Sequence, residues 1–214
     1  MKENKKIITE LQQTGKFMID HQLAWGTAGN ISARTTGEEF LITASGTYLG
    51  ELNEEDVIIY PGTSRQTKRP SKEFPMHEAI YKKRSDINAI LHSSPFYSTL
   101  LACSDLEIPS NYFVETMYYL ERVHRVRYEH PGSIELAEAV REKANTANIF
   151  LLENHGVLVC DTSIKEALMA VQTLEFAAKM LITALEKNIE IKGLTNEVIT
   201  DFLENAGYKP RRNW

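Results

Sequence analysis

Short apolar runs of strand length alternate along this chain with longer segments of helical periodicity. The apolar runs lie at residues 40–43, 57–60, 87–91, 149–152 and 157–160, and turn or polar residues bound them. Helical patterns cover 4–21, 75–80, 96–103, 133–145, 163–185 and 195–205. A further strand is predicted over 123–128, although residues 105–130 have no clean period. Helices before, between and after the strands predict an α/β sandwich with a mixed or mainly antiparallel sheet.

The strongest helical pattern starts at Ser163. Residues 163–166 fit a capping box. Apolar residues then follow at helical spacing: Ile164, Leu168, Val171, Leu174, Ala178, Leu181 and Leu185. We predict that this helix belongs to the core. Ser133 is predicted to cap the helix at 133–145, and Gly207 to end the last helix.

Side chains suited to acid/base and metal chemistry lie at the ends of three predicted elements. His92 follows the apolar run 87–91, and His155 lies in a tight turn between two strands, at a predicted hairpin tip. Glu73 directly precedes a predicted helix that opens with Pro75. Since helix N-termini favour anions, a substrate phosphate is expected close to Ser71 and Lys72.

His92 and His155 are candidate ligands of a divalent transition metal such as zinc. Glu73 either completes the ligand set or acts beside the metal as a general base. Each histidine taken alone is better explained as a surface residue. That plainer interpretation is kept for His21, His124 and His130.

Composition and charge limit the classes of protein to which this chain can belong. The 214 residues contain no Pro/Gly/Ser-rich linker, which indicates one domain. The net charge of -5 argues against a nucleic-acid partner. We expect a cytoplasmic protein without a membrane partner, because no leader and no apolar stretch of about 18 residues was identified. Glycine-rich nucleotide-binding motifs are absent from the sequence.

Two loops of small residues are candidate anion sites. Residues 25–32 are predicted as a loop rich in N–H and hydroxyl donors, and residues 44–47 form a second such loop after a strand. For the first loop alone, an ordinary turn is the simpler interpretation.

Taken together, these motifs resemble the class II aldolase and adducin-head family. The resemblance covers about residues 7–186. It rests on Gly29-Asn30-Ile31-Ser32, Thr43-Ala44-Ser45-Gly46, Ser71-Lys72-Glu73 with His77, His92-Ser93-Ser94-Pro95, and Asn154-His155-Gly156. It implies a single-domain α/β/α sandwich with a mainly antiparallel central sheet, to which the helix and tail of residues 187–214 also belong.

The resemblance also implies a function, a metal-dependent lyase. Such an aldolase would cleave a ketose phosphate to dihydroxyacetone phosphate and an aldehyde through an enediolate. Epimerisation, dehydration and decarboxylation are alternatives on the same fold. The implied cofactor is a divalent metal, usually zinc, and Glu73 would move the proton. The implied phosphate-binding residues are Gly29, Asn30, Ser45, Gly46, Ser71 and Lys72. Family enzymes are commonly homotetramers with sites between subunits, where a neighbour would supply Tyr208, and Tyr112 or Phe113 would lie near the substrate.

Two positions depart from the family pattern. Ser94 replaces a histidine that usually binds the metal, and a hydroxyl is a poorer zinc ligand than imidazole. Manganese or iron would also suit the remaining two histidines and one carboxylate. Lys72 stands where related aldolases often have a small hydroxyl residue, and it either binds phosphate or faces solvent. Ser94 also leaves open a non-catalytic, adducin-like interaction module.

Overall fold

A seven-stranded sheet runs through the part of the chain that the computed structural model describes, residues 2–62 and 67–212. In chain order the strands are β1 (Asn30–Arg34), β2 (Phe40–Thr43), β3 (Val57–Tyr60), β4 (Ala89–Ser93), β5 (Val123–Val126), β6 (Ile149–Leu152) and β7 (Gly156–Asp161). Their spatial order is β3-β2-β1-β4-β7-β6-β5, and all neighbours are antiparallel except β5 and β6. The prediction of a mainly antiparallel sheet is confirmed.

Helices cover both faces of the sheet. They are α1 (Lys2–Asp20), α2 (Phe74–Lys83), α3 (Phe96–Ala102), α4 (Val114–Tyr119), α5 (Ile134–Lys143), α6 (Ile164–Lys187) and α7 (Asn196–Asn205). Side chains of α1, α3, α4 and α6 pack with Leu91 and Val159 of the sheet. Side chains of α2 and α5 pack on the other face with Ile90 and Leu158. Because successive strand residues point to opposite faces, apolar strands need a layer on each side. The predicted α/β/α sandwich is confirmed.

Helix α6 is the longest helix and lies in the core, as predicted. Nine of its residues are buried, and the Ser163 hydroxyl caps it by accepting the N–H of Glu166 at 3.1 Å. The capping box is incomplete, because the Glu166 carboxylate instead accepts from Tyr119 and Lys209. By length and composition alone, α6 is apolar enough to cross a membrane, contrary to our expectation that no segment is. Packing against the sheet accounts for its buried apolar residues, whereas Phe176 and Leu185 are exposed.

Three local predictions need correction. Residues 30–32 belong to strand β1 and not to a loop, because they pair with β4, where Asn30 lies opposite His92. Strand β4 continues through His92 and Ser93 and does not stop before them. Helix α4 occupies residues that showed no clean period, and Thr116 stabilises its start by donating to the carbonyl of Phe113 at 2.7 Å.

The C-terminal tail after α7 lies against α4 and the start of α6. The Lys209 ammonium contacts the Glu166 carboxylate at 2.7 Å, and the Tyr118 hydroxyl donates to the carbonyl of Pro210 at 3.1 Å. The Arg212 guanidinium contacts Asp161, at the end of β7, at 2.7 Å. These contacts fix the tail against the sandwich. Asn213 and Trp214, also counted in the predicted tail, lie outside the described residues.

Candidate functional site

The structure brings together the three residues that the sequence predicts as metal ligands. Glu73 is the N-cap residue of α2, His92 lies near the end of β4, and His155 lies in the turn between β6 and β7. Oε2 of Glu73 lies 3.2 Å from Nε2 of His92, and Oε1 lies 3.1 Å from Nε2 of His155. Each residue offers one potential ligand atom, and these three atoms lie within 4.8 Å of one another. Elements far apart in the chain thus converge on one carboxylate.

The orientation of His92 suits a metal ligand. Its Nδ1 lies 2.9 Å from the carbonyl oxygen of Val157 on the neighbouring strand, and this carbonyl can only accept a hydrogen bond. Nδ1 therefore carries the proton, and in the neutral ring Nε2 presents its lone pair towards Glu73. A hydrogen bond from the far ring nitrogen commonly fixes metal-binding histidines in this way.

Electrostatics keep Glu73 ionised. Burial by itself raises the pKa of this carboxyl, but His92 and His155 outweigh burial and hold the pKa far below its usual range. In the reciprocal effect, burial lowers the pKa of His92, whereas the Glu73 carboxylate raises it by more. The Glu73 carboxylate is therefore ionised at neutral pH.

The donor set fits a divalent cation. Oε1 of Glu73 is buried and has no hydrogen-bond partner among the described residues, despite its closeness to His155. A buried carboxylate oxygen without a partner is costly unless a cation neutralises it. Two imidazole nitrogens and a carboxylate oxygen are ligands that zinc, iron and manganese accept.

Ser94, the fourth predicted ligand, lines the same pocket but its hydroxyl points to the backbone. Its Oγ donates to the carbonyl oxygen of His155 at 3.4 Å. The Ser94 side chain is thus next to the cluster, and its role as a ligand stays a prediction.

The pocket around the cluster has a volume of about 430 Å³ and contains all the predicted phosphate-binding residues. Its lining includes Gly29, Asn30, Ser45, Gly46, Ser71 and Lys72 together with Glu73, His92, Ser94 and His155. Lys72 is exposed at this pocket. The lining also includes Trp25, Thr27, Thr47 and Pro131, for which no sequence pattern predicted an individual role. The first three lie in or beside the two small-residue loops, whereas no sequence signal marks Pro131.

Asn30, which is predicted to bind the phosphate, also forms a hydrogen bond with the Glu73 carboxylate. Its Nδ2 donates to Oε2 of Glu73 at 2.8 Å, and its Oδ1 lies 2.6 Å from Nε2 of His77. Asn30 therefore connects Glu73 with a buried histidine to which the sequence analysis gave no role.

Two glycines allow close backbone contacts with the His92–Ser94 segment. A Cβ atom at Gly29 would lie 2.7 Å from the carbonyl oxygen of His92, and Gly29 has a φ of +95°. A Cβ atom at Gly156 would lie 2.6 Å from the carbonyl oxygen of Ser93. Both distances are too short for a side chain, so glycine is required on both sides of this segment.

Tyr208 does not line this pocket within the single chain. Its ring packs against Phe202 and Tyr118, with ring centroids 5.2 Å and 5.9 Å away. Phe113, another residue expected near the substrate, packs against Phe176. The proposed contribution of Tyr208 to a neighbouring subunit stays a prediction.

Comparisons with known proteins agree with the geometry of the site. The Class II Aldolase and Adducin N-terminal domain profile matches residues 9–182. The chain is similar to the 3-oxo-tetronate 4-phosphate decarboxylase of Haemophilus influenzae, with 35% identity over 91% of this chain and 94% of the relative. It is similar to the L-fuculose phosphate aldolase of Methanocaldococcus jannaschii, with 31% identity over 78% and 91%. The crystal structure of YgbL from Klebsiella pneumoniae, a putative aldolase/epimerase/decarboxylase, superposes with a TM-score of 0.85 at 29% identity, covering 93% of this chain and 98% of YgbL.

Proposed function

Because the chain belongs to the class II aldolase and adducin N-terminal domain family, we propose that it is a metal-dependent lyase that breaks a carbon–carbon bond in a phosphorylated keto compound. The observation that carries this proposal is the convergence of Glu73, His92 and His155 in the pocket that also contains the anion-binding loops. Relatives of this family act on phosphorylated sugars.

Decarboxylation of a 3-oxo sugar acid phosphate is our leading reaction. The relative with 35% identity carries this activity in its name. The substrate of such a reaction has two anionic groups, a phosphate and a carboxylate. Lys72 supplies an exposed cation beside Ser71, which suits the phosphate of such a substrate. Aldol cleavage of a ketose phosphate is the second candidate, favoured by the similarity to an L-fuculose phosphate aldolase.

Both reactions pass through the same electronic change. When the carbon–carbon bond breaks, its electron pair stays on the carbon next to the carbonyl, and the carbonyl oxygen gains negative charge. When bound to Glu73, His92 and His155, a divalent cation supplies electrostatic stabilisation of that charge. Zinc is the cation we propose, with manganese and iron as alternatives because of Ser94.

The side chains of the pocket then have separate tasks. Ser71, Lys72 and the glycine loops bind the phosphate and orient the substrate. Asn30 holds one oxygen of Glu73 through the 2.8 Å hydrogen bond. The ionised Glu73 carboxylate is the group that moves the proton. In aldol cleavage it accepts the proton of the substrate hydroxyl and returns it to carbon. In decarboxylation carbon dioxide leaves, and the carbon takes its proton from solvent.

A pair of assays tests the proposal. Purified protein with added zinc or manganese is given 3-oxo-tetronate 4-phosphate, and carbon dioxide release is compared with the spontaneous rate of the same compound. L-fuculose 1-phosphate is tested in parallel for dihydroxyacetone phosphate. We expect metal-dependent turnover of the first substrate that chelator and Glu73→Gln both remove. Turnover of the second substrate alone would establish aldol cleavage. Absence of both metal binding and turnover would favour the non-catalytic, adducin-like module.

We further propose that the protein acts in the cytoplasm as a homotetramer whose sites lie between subunits. The position of Tyr208 supports the proposed assembly, because its side chain lies away from the pocket of its own chain and packs against Tyr118. Light scattering of the purified protein tests the assembly, and a dominant monomer would contradict it.

A further inference from the structure

A row of four buried polar side chains lies behind the Glu73 carboxylate. The Tyr81 hydroxyl lies 2.8 Å from Oγ of Ser32, and Oγ of Ser32 lies 2.7 Å from Nδ1 of His77. Nε2 of His77 lies 2.6 Å from Oδ1 of Asn30, whose Nδ2 contacts Glu73 at 2.8 Å. All four side chains in this row are buried, and Ser32 and His77 are completely inaccessible to solvent.

The secondary structure explains how this row forms. Asn30 and Ser32 are two residues apart on β1 and therefore point to the same face of the sheet. His77 and Tyr81 are four residues apart on α2 and therefore lie on the same face of the helix. The two polar pairs meet between β1 and α2, beside an apolar cluster and next to Arg34, whose guanidinium carbon lies 4.7 Å from the Tyr81 ring centroid. Burying polar groups costs free energy unless they are paired, so a connected polar row indicates a role in specificity beyond packing.

The chemistry of the contacts fixes the direction of every hydrogen bond from the carboxylate outwards. Ionised Glu73 only accepts, so Asn30 presents its amide NH₂ to Glu73 and its amide oxygen to His77. That oxygen also only accepts, so Nε2 of His77 carries the proton. In the neutral ring Nδ1 then accepts from the Ser32 hydroxyl. His77 is neutral because burial, reinforced by His92, lowers its pKa to about 3.

We propose that His77 and Ser32 are positioning residues that lock the Asn30 amide with its NH₂ towards the active-site carboxylate. The inference rests on the proposed function of the Glu73 cluster. A flipped amide would place its oxygen against the carboxylate oxygen, and this repulsion would turn Glu73 away from His92. The row therefore holds Glu73 in position for the cation and for proton transfer. Tyr81 is not essential to this lock, since Ser32 still donates to His77 without it.

The tautomer of His77 provides a test that does not depend on activity. Nitrogen-15 NMR of histidine-labelled protein at neutral pH distinguishes a ring protonated at Nε2 from one protonated at Nδ1. We expect the histidine signal that is absent from His77→Gln to be of the Nε2–H form in the native protein, and Ser32→Ala should increase its Nδ1–H form. Assignment of the Nδ1–H form to His77 in the native protein would overturn the proposal even if the enzyme proved active.

Metal affinity provides the second readout, measured by competition with a coloured chelator without any substrate. We expect His77→Leu and Ser32→Ala to weaken zinc binding by about 10-fold to 100-fold, the range typical of residues that orient metal ligands. His77→Gln, which keeps an N–H donor, should restore most of that affinity. Tyr81→Phe is the matched control for loss of a buried polar group and should have a smaller effect.

A comparison of Tyr81→Phe with Ser32→Ala also separates a positioning role from general destabilisation. A loss of affinity in Tyr81→Phe as large as in Ser32→Ala, with equally lowered thermal stability, would overturn the positioning role. Unchanged affinity in both Ser32→Ala and His77→Leu would do the same. By contrast, native protein that binds zinc but turns over none of the substrates would contradict the proposed function and leave the tautomer result standing.

Discussion

The Ser94 hydroxyl donates to the main-chain carbonyl of His155 at 3.4 Å, so the side chain at the unusual position is directly connected to a candidate metal ligand. We expect Ser94→His to raise zinc affinity by about 10-fold or more, because imidazole binds zinc better than a hydroxyl does. Equilibrium competition with a chelator measures the zinc affinity. Ser94→Ala is the control and should change affinity only slightly; a loss as large as that in His155→Ala would identify Ser94 as a ligand.

Removing the charge of Glu73 should affect both metal binding and chemistry. For Glu73→Gln we expect turnover to fall by about 10²-fold to 10⁴-fold, the usual contribution of a general acid or base, together with weaker metal binding. Steady-state kinetics and elemental analysis measure the two effects. Glu78→Gln on the same helix is the matched control, since Glu78 pairs with Lys82 at 2.8 Å and does not line the pocket. Equal losses in both variants would argue against a specific role of Glu73.

Mixed oligomers test whether Tyr208 serves a neighbouring subunit. Glu73→Gln and Tyr208→Phe should each have low activity alone. After unfolding and refolding together in equal amounts, about a quarter of the sites should contain both native residues if the two come from different subunits. Assays of the mixture should then recover activity. A mixture of Glu73→Gln with His155→Ala is the control and should stay inactive, because one chain supplies both residues. Absence of recovery in the first mixture would contradict the contribution of Tyr208 to a neighbouring subunit.

The ion pair of Glu166 and Lys209 predicts a pH dependence of stability. Burial raises the pKa of Glu166, but Lys209 and Tyr119 outweigh it, so the folded pKa lies below the usual value. The unfolded chain therefore binds this proton first as pH falls. The stabilisation should be complete above the unfolded pKa of about 4.3 and be lost as pH falls towards the folded value.

Urea unfolding of Glu166→Gln measures this contribution. We expect a loss of about 1 kcal/mol in the free energy of unfolding at pH 7, which shrinks below about pH 4. Glu186→Gln removes the same charge from an exposed pair with Lys187 and should have little effect at either pH. If the loss of unfolding free energy in Glu166→Gln stayed constant down to pH 3, this would contradict the predicted link between protonation of Glu166 and stability.

Local sequence patterns predicted most of the sheet and the three residues of the candidate metal site. Strands β2 and β3 start and end at the predicted residues, because each is a run of apolar or β-branched residues next to turn residues. Strand β1 was misread because Asn30 and Ser32 are polar on a buried face, and only the facing polar residues of α2 make that burial acceptable.

Other features depended on long-range contacts. Helix α4 is six residues long, too short for a helical period to be recognised. The role of His77 depends on its hydrogen bonds to two residues of β1, and no pattern along α2 indicates them. The place of Tyr208 in an assembly cannot be derived from the fold of one chain.

Gly29 and Gly156 limit how this pocket can diverge in related sequences. Since a Cβ atom at either glycine would collide with the carbonyl of His92 or Ser93, any mutation there moves a strand end before it changes the chemistry. Lys72 is exposed, and Ser94 makes only one weak hydrogen bond through its side chain. New substrate preferences are therefore expected to arise at residues 72 and 94, while the two glycines stay unchanged.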